Sequence, residues 1–229
     1  MQEIKETIIY SYRVRKGSDS GLAPCIYDLK GKPTDLLTLV CCKGGKIYHE
    51  GKPNEKGSNT GLRYEIGKKY KDKINAGSAD VYLLGIYDDE LLYFAKITGI
   101  LSMTDYFASD SPYKKRQDDI YDVIPAGFRP KKNNPHKTPQ QKRDWLGEFA
   151  LISDCFAYWG KESAAIPQNL LDILPQYREP KHYQPDTNDY NIIMDFVKNL
   201  WNFKDNIKGK PHNYAQDCNS KSRKKCIIC

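Results

Sequence analysis

The cysteines are the residues whose spacing bears most directly on chemistry. The chain contains seven, and Cys226-Ile-Ile-Cys229 is the only pair with the C-x-x-C spacing of a metal site. Structural zinc sites usually combine two close ligand pairs, so a zinc ion would need distant partners such as Cys218 and His212. We therefore predict no metal site. The same C-terminal residues follow a basic run and also fit a prenylation signal, although a flexible basic tail is the simpler interpretation.

A turn rich in glycine, Gly17–Gly21, could bind an anion through its backbone N–H groups, but such turns are more often structural. The motifs of dinucleotide-binding loops, P-loops, zinc proteases and serine hydrolases do not occur in the sequence. Cys42 lies at the end of an apolar run, which favours a small core residue over a nucleophile. Motifs alone therefore assign no reaction.

Length and composition indicate one folded core. The 229 residues are 39% hydrophobic and include 17 Tyr, 7 Phe and 3 Trp, an aromatic content that disordered proteins lack. No segment approaches the roughly 18 apolar residues of a membrane span, and the first residues lack the apolar stretch of a secretory signal. We predict a globular protein without a membrane span and expect it in the cytoplasm.

The net charge of +7 is concentrated in two segments. Residues 113–143 carry nine Lys and Arg against three Asp, and residues 204–229 carry seven against two. The rest of the chain is therefore mildly acidic, a distribution unlike that of a protein that coats duplex DNA. Local binding of a polyanion stays open, although solvated charged segments are the more common explanation.

Apolar alternation predicts strands, and an apolar repeat every three or four residues predicts helices. The predicted elements are strands at 3–15 and 35–42, a hairpin at 80–87 and 91–98, a short helix at 102–107, a strand beginning at 149 within 149–159, and an amphipathic helix at 189–201. Residues 44–77, rich in Gly, Lys and Asn, predict a long connection or an irregular hairpin.

These elements predict an α+β fold. We expect a small, mostly antiparallel sheet that could curl into a barrel, with helices packed against it. Residues 1–203 should form this single domain, and residues 204–229 a flexible, basic tail that contains cysteines.

Several segments resemble, in the same order, a family of proteins assigned to DNA base hypermodification in phages and bacteria, the nucleotide modification associated domain of the second type. The matching segments are Tyr10-Ser-Tyr-Arg-Val14, Asp19-Ser-Gly-Leu-Ala-Pro24, Thr38-Leu39 with Cys42-Lys43, Asp80-Val-Tyr-Leu-Leu-Gly85, Leu92-Tyr-Phe-Ala-Lys-Ile-Thr98 with Tyr106, Asp119-Ile-Tyr121, Asn134-Pro-His136, and Ile152-Ser153 with Phe156, Tyr158, Trp159, Gly160 and Pro167. The resemblance spans residues 8–170. It departs from the family's pattern at Gly44, at Ala79 and in the long segment between Gly44 and Gly77.

The resemblance implies a protein that recognises a nucleotide, a modified base or DNA and takes part in base hypermodification. It names no cofactor. A nucleotide-binding or sequestering module without turnover, such as a viral counter-defence protein, is the alternative. A protein-interaction inhibitor that works through its basic tail is a third hypothesis.

Within the resembling segments, seven residues are candidates for ligand binding: Asp19, Lys43, His136, Ser153, Asp154, Tyr158 and Trp159. Lys43 would contact a phosphate, and Asp19 or Asp154 would accept hydrogen bonds from a base or ribose. The two aromatic residues would stack on a base. His136 and Asp19 are the candidates for a general base. Structural roles are also open, since Asp19 could cap its own turn and the two aromatic residues could fill the core.

Overall fold

The structure of the protein, a computed structural model, describes residues 5–14, 19–49, 52–58, 61–132, 134–177, 180–200 and 207–213. The strands are β1 (Glu6–Val14), β2 (Cys25–Tyr27), β3 (Pro33–Leu39), β4 (Lys46–His49), β5 (Lys52–Ser58), β6 (Ala79–Tyr87), β7 (Glu90–Ile97), β8 (Gly99–Ser102), β9 (Tyr121–Ile124), β10 (Gly127–Pro130), β11 (Phe149–Ser153), β12 (Cys155–Tyr158), β13 (Ala164–Ala165) and β14 (Lys181–Tyr183). The helices are α1 (Leu62–Asn75), α2 (Met103–Tyr106), α3 (Thr138–Trp145), α4 (Gln168–Leu171) and α5 (Asn188–Leu200), with short 3-10 helices at Pro112–Lys115 and Gly160–Glu162.

The central sheet has the strand order β12-β7-β6-β1-β14, and β13 also pairs with β7. Strands β1 and β6 are parallel, from Glu6 opposite Ala79 to Val14 opposite Tyr87. The other pairs in this sheet are antiparallel. A parallel pair requires a long crossover connection. The segment between β1 and β6 provides it and contains β2, β3 and α1.

The second sheet, ordered β2-β3-β11-β8, is antiparallel and continues from the first. Strand β7 leads into β8, and β11 leads into β12. At the bend between the sheets, the Thr98 N–H donates to the Ile152 carbonyl at 2.9 Å, and Thr98 Oγ1 accepts from the Asp154 N–H at 3.2 Å. The same two stretches of chain therefore contribute to both sheets.

Both faces of the central sheet are buried. Tyr10 and Tyr12 of β1 pack in a core shared with the second sheet and α1, while Ile9 packs in a core shared with α4 and α5. The α+β class is confirmed. The barrel-like sheet is not, because neither sheet closes within the described residues. A barrel encloses one interior, whereas this sheet has helices on one face and a second sheet on the other.

Elements with a clear sequence pattern are confirmed. Strands β6 and β7 form the predicted hairpin, and α5 is the predicted amphipathic helix, with Ile193 and Val197 completely buried. Trp201, predicted to continue this helix, lies outside the described residues. The apolar segment 149–159 forms two strands, β11 and β12, because the chain bends at Asp154 rather than entering a loop.

Helix α1 is the main element that the sequence did not predict. Residues 44–77 contain an irregular hairpin, β4 with β5, as one interpretation expected, and α1 follows it. The helix buries a stripe of roughly one apolar residue per turn, at Leu62, Ile66 and Tyr70. Gly61 at its N-terminus supplies no side-chain cap. A narrow apolar stripe without a capping residue is a weak sequence signal for a helix, which is why α1 was not predicted.

Residues 207–213 lie beside β12. The Lys208 N–H donates to the Tyr158 carbonyl at 2.8 Å, and the Lys161 N–H donates to the Lys210 carbonyl at 2.8 Å. This segment belongs to the part of the chain expected to form a tail, of which residues 204–206 and 214–229 lie outside the described residues. In the described parts of the chain, no helix combines the length and apolar character needed to cross a bilayer.

Candidate active site

The turn after β3 places Cys42 in an unusual backbone conformation. Val40 and Cys41 are completely buried, and the chain then turns at Cys42 and Lys43, whose φ angles are 57° and 53°. Residues other than glycine avoid this left-handed region, at a cost on the order of 1 kcal/mol each. Two such residues in succession require neighbouring groups to hold the turn. The Cys42 side chain is half-buried there, not enclosed in the core as its apolar run suggested.

The carboxylate that holds this turn belongs to Asp144, in α3. It is completely buried and accepts hydrogen bonds from the Cys42 N–H at 2.5 Å and the Tyr121 hydroxyl at 2.8 Å. Burial, together with the nearby Asp144 charge, raises the pKa of Tyr121, so this hydroxyl remains protonated and donates. These donors compensate for the burial of a charged group.

The His136 imidazole lies between this carboxylate and the Cys42 thiol. Its Nδ1 is 2.5 Å from Asp144 Oδ2, and its Nε2 is 3.8 Å from Cys42 Sγ. We assign the proton to Nδ1 because a carboxylate accepts from a protonated nitrogen, and Nε2 then presents its lone pair to the thiol. Cys42, His136 and Asp144, here called the Cys42 triad, thus have the thiol, imidazole and carboxylate order that activates a nucleophile.

Side chains of the same loop and helix fix the backbone at His136. Asn134 Oδ1 accepts from the His136 N–H at 2.8 Å, and Gln141 Nε2 donates to the His136 carbonyl at 2.6 Å. Asn134 also donates to the Ile120 carbonyl at 3.0 Å, which ties the loop to the start of β9. The orientation of the imidazole is therefore set by the backbone as well as by Asp144.

Arg63, in the first turn of α1, joins the segments that carry the triad. Its guanidinium donates to the carbonyl oxygens of Cys42 at 2.7 Å, Asp144 at 2.6 Å and Phe149 at 2.5 Å. Burial lowers the pKa of Arg63, although the charge of Asp144 opposes the shift. Gly147 makes room for this group, since a Cβ there would lie 2.3 Å from guanidinium atoms. One buried cation thus fixes the Cys42 turn, the end of α3 and the start of β11.

The ligating atoms of the Cys42 triad lie within 4.8 Å of one another, close enough to be considered as a metal site. As they stand, however, His136 Nδ1 and Asp144 Oδ2 bond each other, and Asp144 Oδ1 bonds the Cys42 N–H. A metal bound at His136 Nδ1 would displace the first of these hydrogen bonds, and a metal bound by Asp144 would share the carboxylate oxygens with them. The arrangement suits proton transfer better than metal binding. Of the tail residues that a zinc site would need, Cys218, Cys226 and Cys229 lie outside the described residues.

Lys43 follows Cys42 in the chain, and its side chain packs against β1. Its ammonium group lies 4.4 Å from the centre of the Tyr12 ring and donates to the Arg13 carbonyl at 3.1 Å. Tyr12 is the first member of a row across the central sheet, because it pairs with Gly85, Gly85 pairs with Tyr93, and Tyr93 pairs with Tyr158. Lys43 therefore lies at one end of a row of tyrosines on a single face.

Gly85 allows this row to form. A Cβ at Gly85 would lie 2.1 Å from the Tyr93 ring, so a larger residue would displace it. With glycine there, the hydroxyls of Tyr12 and Tyr93 approach to 2.6 Å over the strand between them. Burial raises the pKa of Tyr93, so its hydroxyl stays protonated.

Asp19 lies at the other end of the row and binds the C-terminal segment. Its carboxylate accepts from the Tyr158 hydroxyl at 3.0 Å, from the His212 N–H at 2.8 Å and from His212 Nδ1 at 2.9 Å. Asp19 is buried, and its own carbonyl accepts from the Asn213 N–H. The described contacts of this carboxylate are thus with distant parts of the chain rather than with its own turn.

The remaining predicted site residues lie elsewhere. Ser153 closes the bend between the sheets, since its hydroxyl donates to the Cys155 carbonyl at 2.9 Å, and Asp154 is exposed at the same bend. Trp159 packs in the core between the central sheet and the outer helices. The structure brings His136 to Cys42, directs Lys43 to Tyr12 of β1 and joins Asp19 to Tyr158. It leaves Ser153, Asp154 and Trp159 apart from these groups.

Sequence reasoning missed the residues that organise the Cys42 triad, namely Asp144, Arg63 and Tyr121. Asp144 follows His136 by eight positions, but a single Asp at the end of a basic segment has no distinctive spacing. Arg63 lies in the segment whose helix was not predicted. A polar side chain that will be buried looks the same in the sequence as one that will be exposed.

The sequence pattern of the family described as nucleotide modification associated domain 2 matches residues 74–218, which is more than half of the chain. The chain belongs to this family. In this family member the match includes His136, Asp144 and His212, whereas Cys42 and Asp19 precede it. Comparisons with curated proteins and with solved structures find no significant match.

Proposed function

We propose that this family member is an enzyme that acts on a nucleotide or a DNA base as part of base hypermodification in a phage or bacterium. Family membership supports the substrate class, since the family is named for its association with nucleotide modification. Catalysis is supported by one observation: the His136 imidazole lies between the buried Asp144 carboxylate and the half-buried Cys42 thiol. That position provides a general base.

In this proposal Asp144 keeps the His136 imidazole in one tautomer and stabilises its charged form. A proton accepted at Nε2 leaves an imidazolium whose Nδ1–H already donates to Asp144. The carboxylate therefore compensates for a charge that exists only after proton transfer. Such compensation favours the charged intermediate over the resting state.

Basic side chains around the Cys42 triad support an anionic ligand. Lys132, Lys137 and Lys142 are exposed and flank His136 and Asp144 in the chain. They belong to the segment 113–143 with its excess of positive charge. Phosphate groups of a nucleotide or DNA are the anions that such a surface would attract. Lys43 is a second candidate for phosphate contact.

The alternative is a binding or sequestering module that does not turn over its ligand. One observation favours it: the His136 side chain has no exposed surface. A bound ligand would then reach the half-buried Cys42 before it reached the imidazole. In that case the nucleotide would be recovered unchanged.

The test is nucleotide binding and conversion by the wild-type protein and the His136→Asn variant. Nucleoside monophosphates, modified bases and single-stranded DNA are screened by thermal shift, and each stabilising ligand is then analysed chemically after incubation. We expect one class to stabilise the protein and to be altered, with conversion by His136→Asn reduced at least about 100-fold and its affinity retained.

The matched control is His182→Asn, which removes an exposed imidazole from β14. It should convert the ligand at the wild-type rate. Recovery of every stabilising ligand unchanged would favour the sequestering module. Absence of any nucleotide-dependent shift would contradict the nucleotide-directed function itself.

A further inference from the structure

We propose that Cys42 is a covalent nucleophile that takes an acyl group from an activated ester, thioester or amide and passes it to the exocyclic amine of a nucleobase. The choice of acceptor rests on the proposed function, whereas the thioester on Cys42 does not depend on it. The proposal assigns a reaction class to the Cys42 triad.

Cys42 differs from the other described cysteines in its exposure and its neighbours. Cys25 and Cys41 are completely buried, and burial raises the pKa of Cys25 to about 12. Cys155 is half-buried in β12, and burial also raises its pKa. Cys42 combines partial exposure with an imidazole nitrogen 3.8 Å from its sulfur. A thiol becomes nucleophilic when a nearby base removes its proton.

The turn holds the sulfur in a fixed place. The Cys42 N–H donates to Asp144 and the Cys42 carbonyl accepts from Arg63, so both backbone polar groups are bound to buried charged groups. These contacts maintain a left-handed backbone that would otherwise relax. Side-chain placement on a backbone fixed in this way is the preorganisation that covalent catalysis requires.

Acyl transfer uses both proton-transfer steps that His136 can perform. In the first step the Sγ–C bond forms at the acyl carbon as the Sγ proton moves to His136 Nε2. The bond from that carbon to the leaving group then breaks, and the leaving group takes the proton from Nε2. In the second step an amine attacks the thioester, its proton passes to Nε2 and then to the departing Sγ. Atoms and electrons balance without a redox partner.

An amine of a nucleobase is the acceptor that this family member would use. Adenine, cytosine and guanine carry exocyclic amines, whereas thymine does not. Attachment of an acyl group there is a base modification, and the exposed lysines near the triad would bind the phosphate of the same nucleotide. Water would be the competing acceptor.

The first experiment uses p-nitrophenyl acetate as the acyl donor. We expect a burst of p-nitrophenolate, an increase in protein mass by one acetyl group, and a modified peptide that contains Cys42. Cys42→Ser should lose the thioester, and His136→Asn should slow acylation at least about 100-fold. Cys155→Ser is the matched control and should acylate normally. Adducts on Cys155, or equal acylation of wild type and His136→Asn, would overturn the proposal.

If p-nitrophenyl acetate is a poor acyl donor, alkylation by iodoacetamide tests independently whether Cys42 is a nucleophile. Cys42 should react at least tenfold faster than Cys155 near neutral pH, and His136→Asn should remove that preference. Thermal unfolding of each variant verifies that it is folded. Equal alkylation rates at the two cysteines in the folded wild-type protein would overturn the assignment of Cys42.

A chase of the acetylated protein separates this proposal from the proposed function. We expect dAMP, dCMP or dGMP to remove the acetyl group and become acetylated, and dTMP to leave the thioester to hydrolysis. Loss of the thioester to water alone, with every nucleotide unchanged, would contradict the nucleobase acceptor and leave the nucleophile supported. Nucleotide conversion without a thioester would contradict the nucleophile and support the proposed function.

Discussion

At the scale of single residues, Arg63 is the side chain on which the geometry of the Cys42 triad most depends. Arg63→Met would remove the donors of three carbonyl oxygens, one in a buried contact and two in partly buried contacts, and the free energy of unfolding should fall by about 3 kcal/mol. Urea denaturation measures this change. Lys68→Met removes an exposed cation from the same helix and should change stability by less than about 0.5 kcal/mol. Equal stability of the two variants would contradict the role of Arg63.

For single residues, the sequence singled out His136 and Lys43 only through segments that resemble the family. His136 lies beside Cys42 in the structure, whereas the Lys43 side chain packs on Tyr12. Asp144 and Arg63 were not identified, because their importance arises from contacts between distant segments. His136 and Cys42 are 94 positions apart, and no local pattern reports that a thiol and an imidazole will meet.

At the scale of elements, Asp80 joins three strands at one end of the central sheet. Asp80 is the second residue of β6. Its carboxylate forms ion pairs with Lys96 of β7 at 2.8 Å and with Lys5, next to β1, at 2.9 Å. Partial burial acts to raise the pKa of Asp80, but the contacts with Lys96 and Lys5 outweigh it, so that the pKa lies below its usual value.

A lowered pKa makes the contribution of Asp80 to stability dependent on pH. Its carboxylate stabilises the folded state above the pKa of the unfolded chain, and this contribution is lost as the pH falls through the lower pKa of the folded state. Asp80→Asn should therefore reduce the free energy of unfolding by about 1 kcal/mol at neutral pH. The difference from wild type should vanish once the folded-state carboxylate is protonated.

The measurement is denaturant unfolding from about pH 7 down to about pH 2. Asp186→Asn, at an exposed aspartate before α5, is the control and should match wild type throughout. A stability difference for Asp80→Asn that persists unchanged in acid would show that the ion pairs are not its cause.

Elements with strong periodicity were predictable, and elements defined by tertiary contacts were not. The hairpin of β6 and β7 and helix α5 show clear alternation or amphipathic spacing. The bend that divides 149–159 into β11 and β12 depends on Thr98, which lies in a different segment. The parallel pairing of β1 with β6 likewise depends on a crossover whose helix has a weak pattern.

At the scale of the whole molecule, Asp19 connects the N-terminal part of the chain to the segment 207–213. Asp19→Ala would remove the acceptor of two hydrogen bonds from His212 and one from Tyr158. We expect the segment 207–213 to separate from β12 more often, and the Lys208 amide to exchange with solvent about tenfold faster. Hydrogen exchange detected by NMR or mass spectrometry measures this rate.

Asp28→Ala is the matched control for the Asp19 substitution. Asp28 accepts from the N–H groups of Lys30 and Lys32 in its own turn, so its loss should leave the Lys208 amide unaffected. Equal protection of Lys208 in wild type and Asp19→Ala would mean that other contacts hold the C-terminal segment.

The distance along the chain between Cys42 and its partners has a consequence during protein synthesis. Ribosomes add about 5 to 20 residues per second, so roughly 5 to 20 seconds separate the translation of Cys42 from that of His136 and Asp144. Throughout this interval the nascent thiol has neither the His136 imidazole nor the carboxylate that holds its turn. In the proposed mechanism, the nascent chain therefore carries an ordinary cysteine, and Cys42 becomes reactive only when α3 has packed against it.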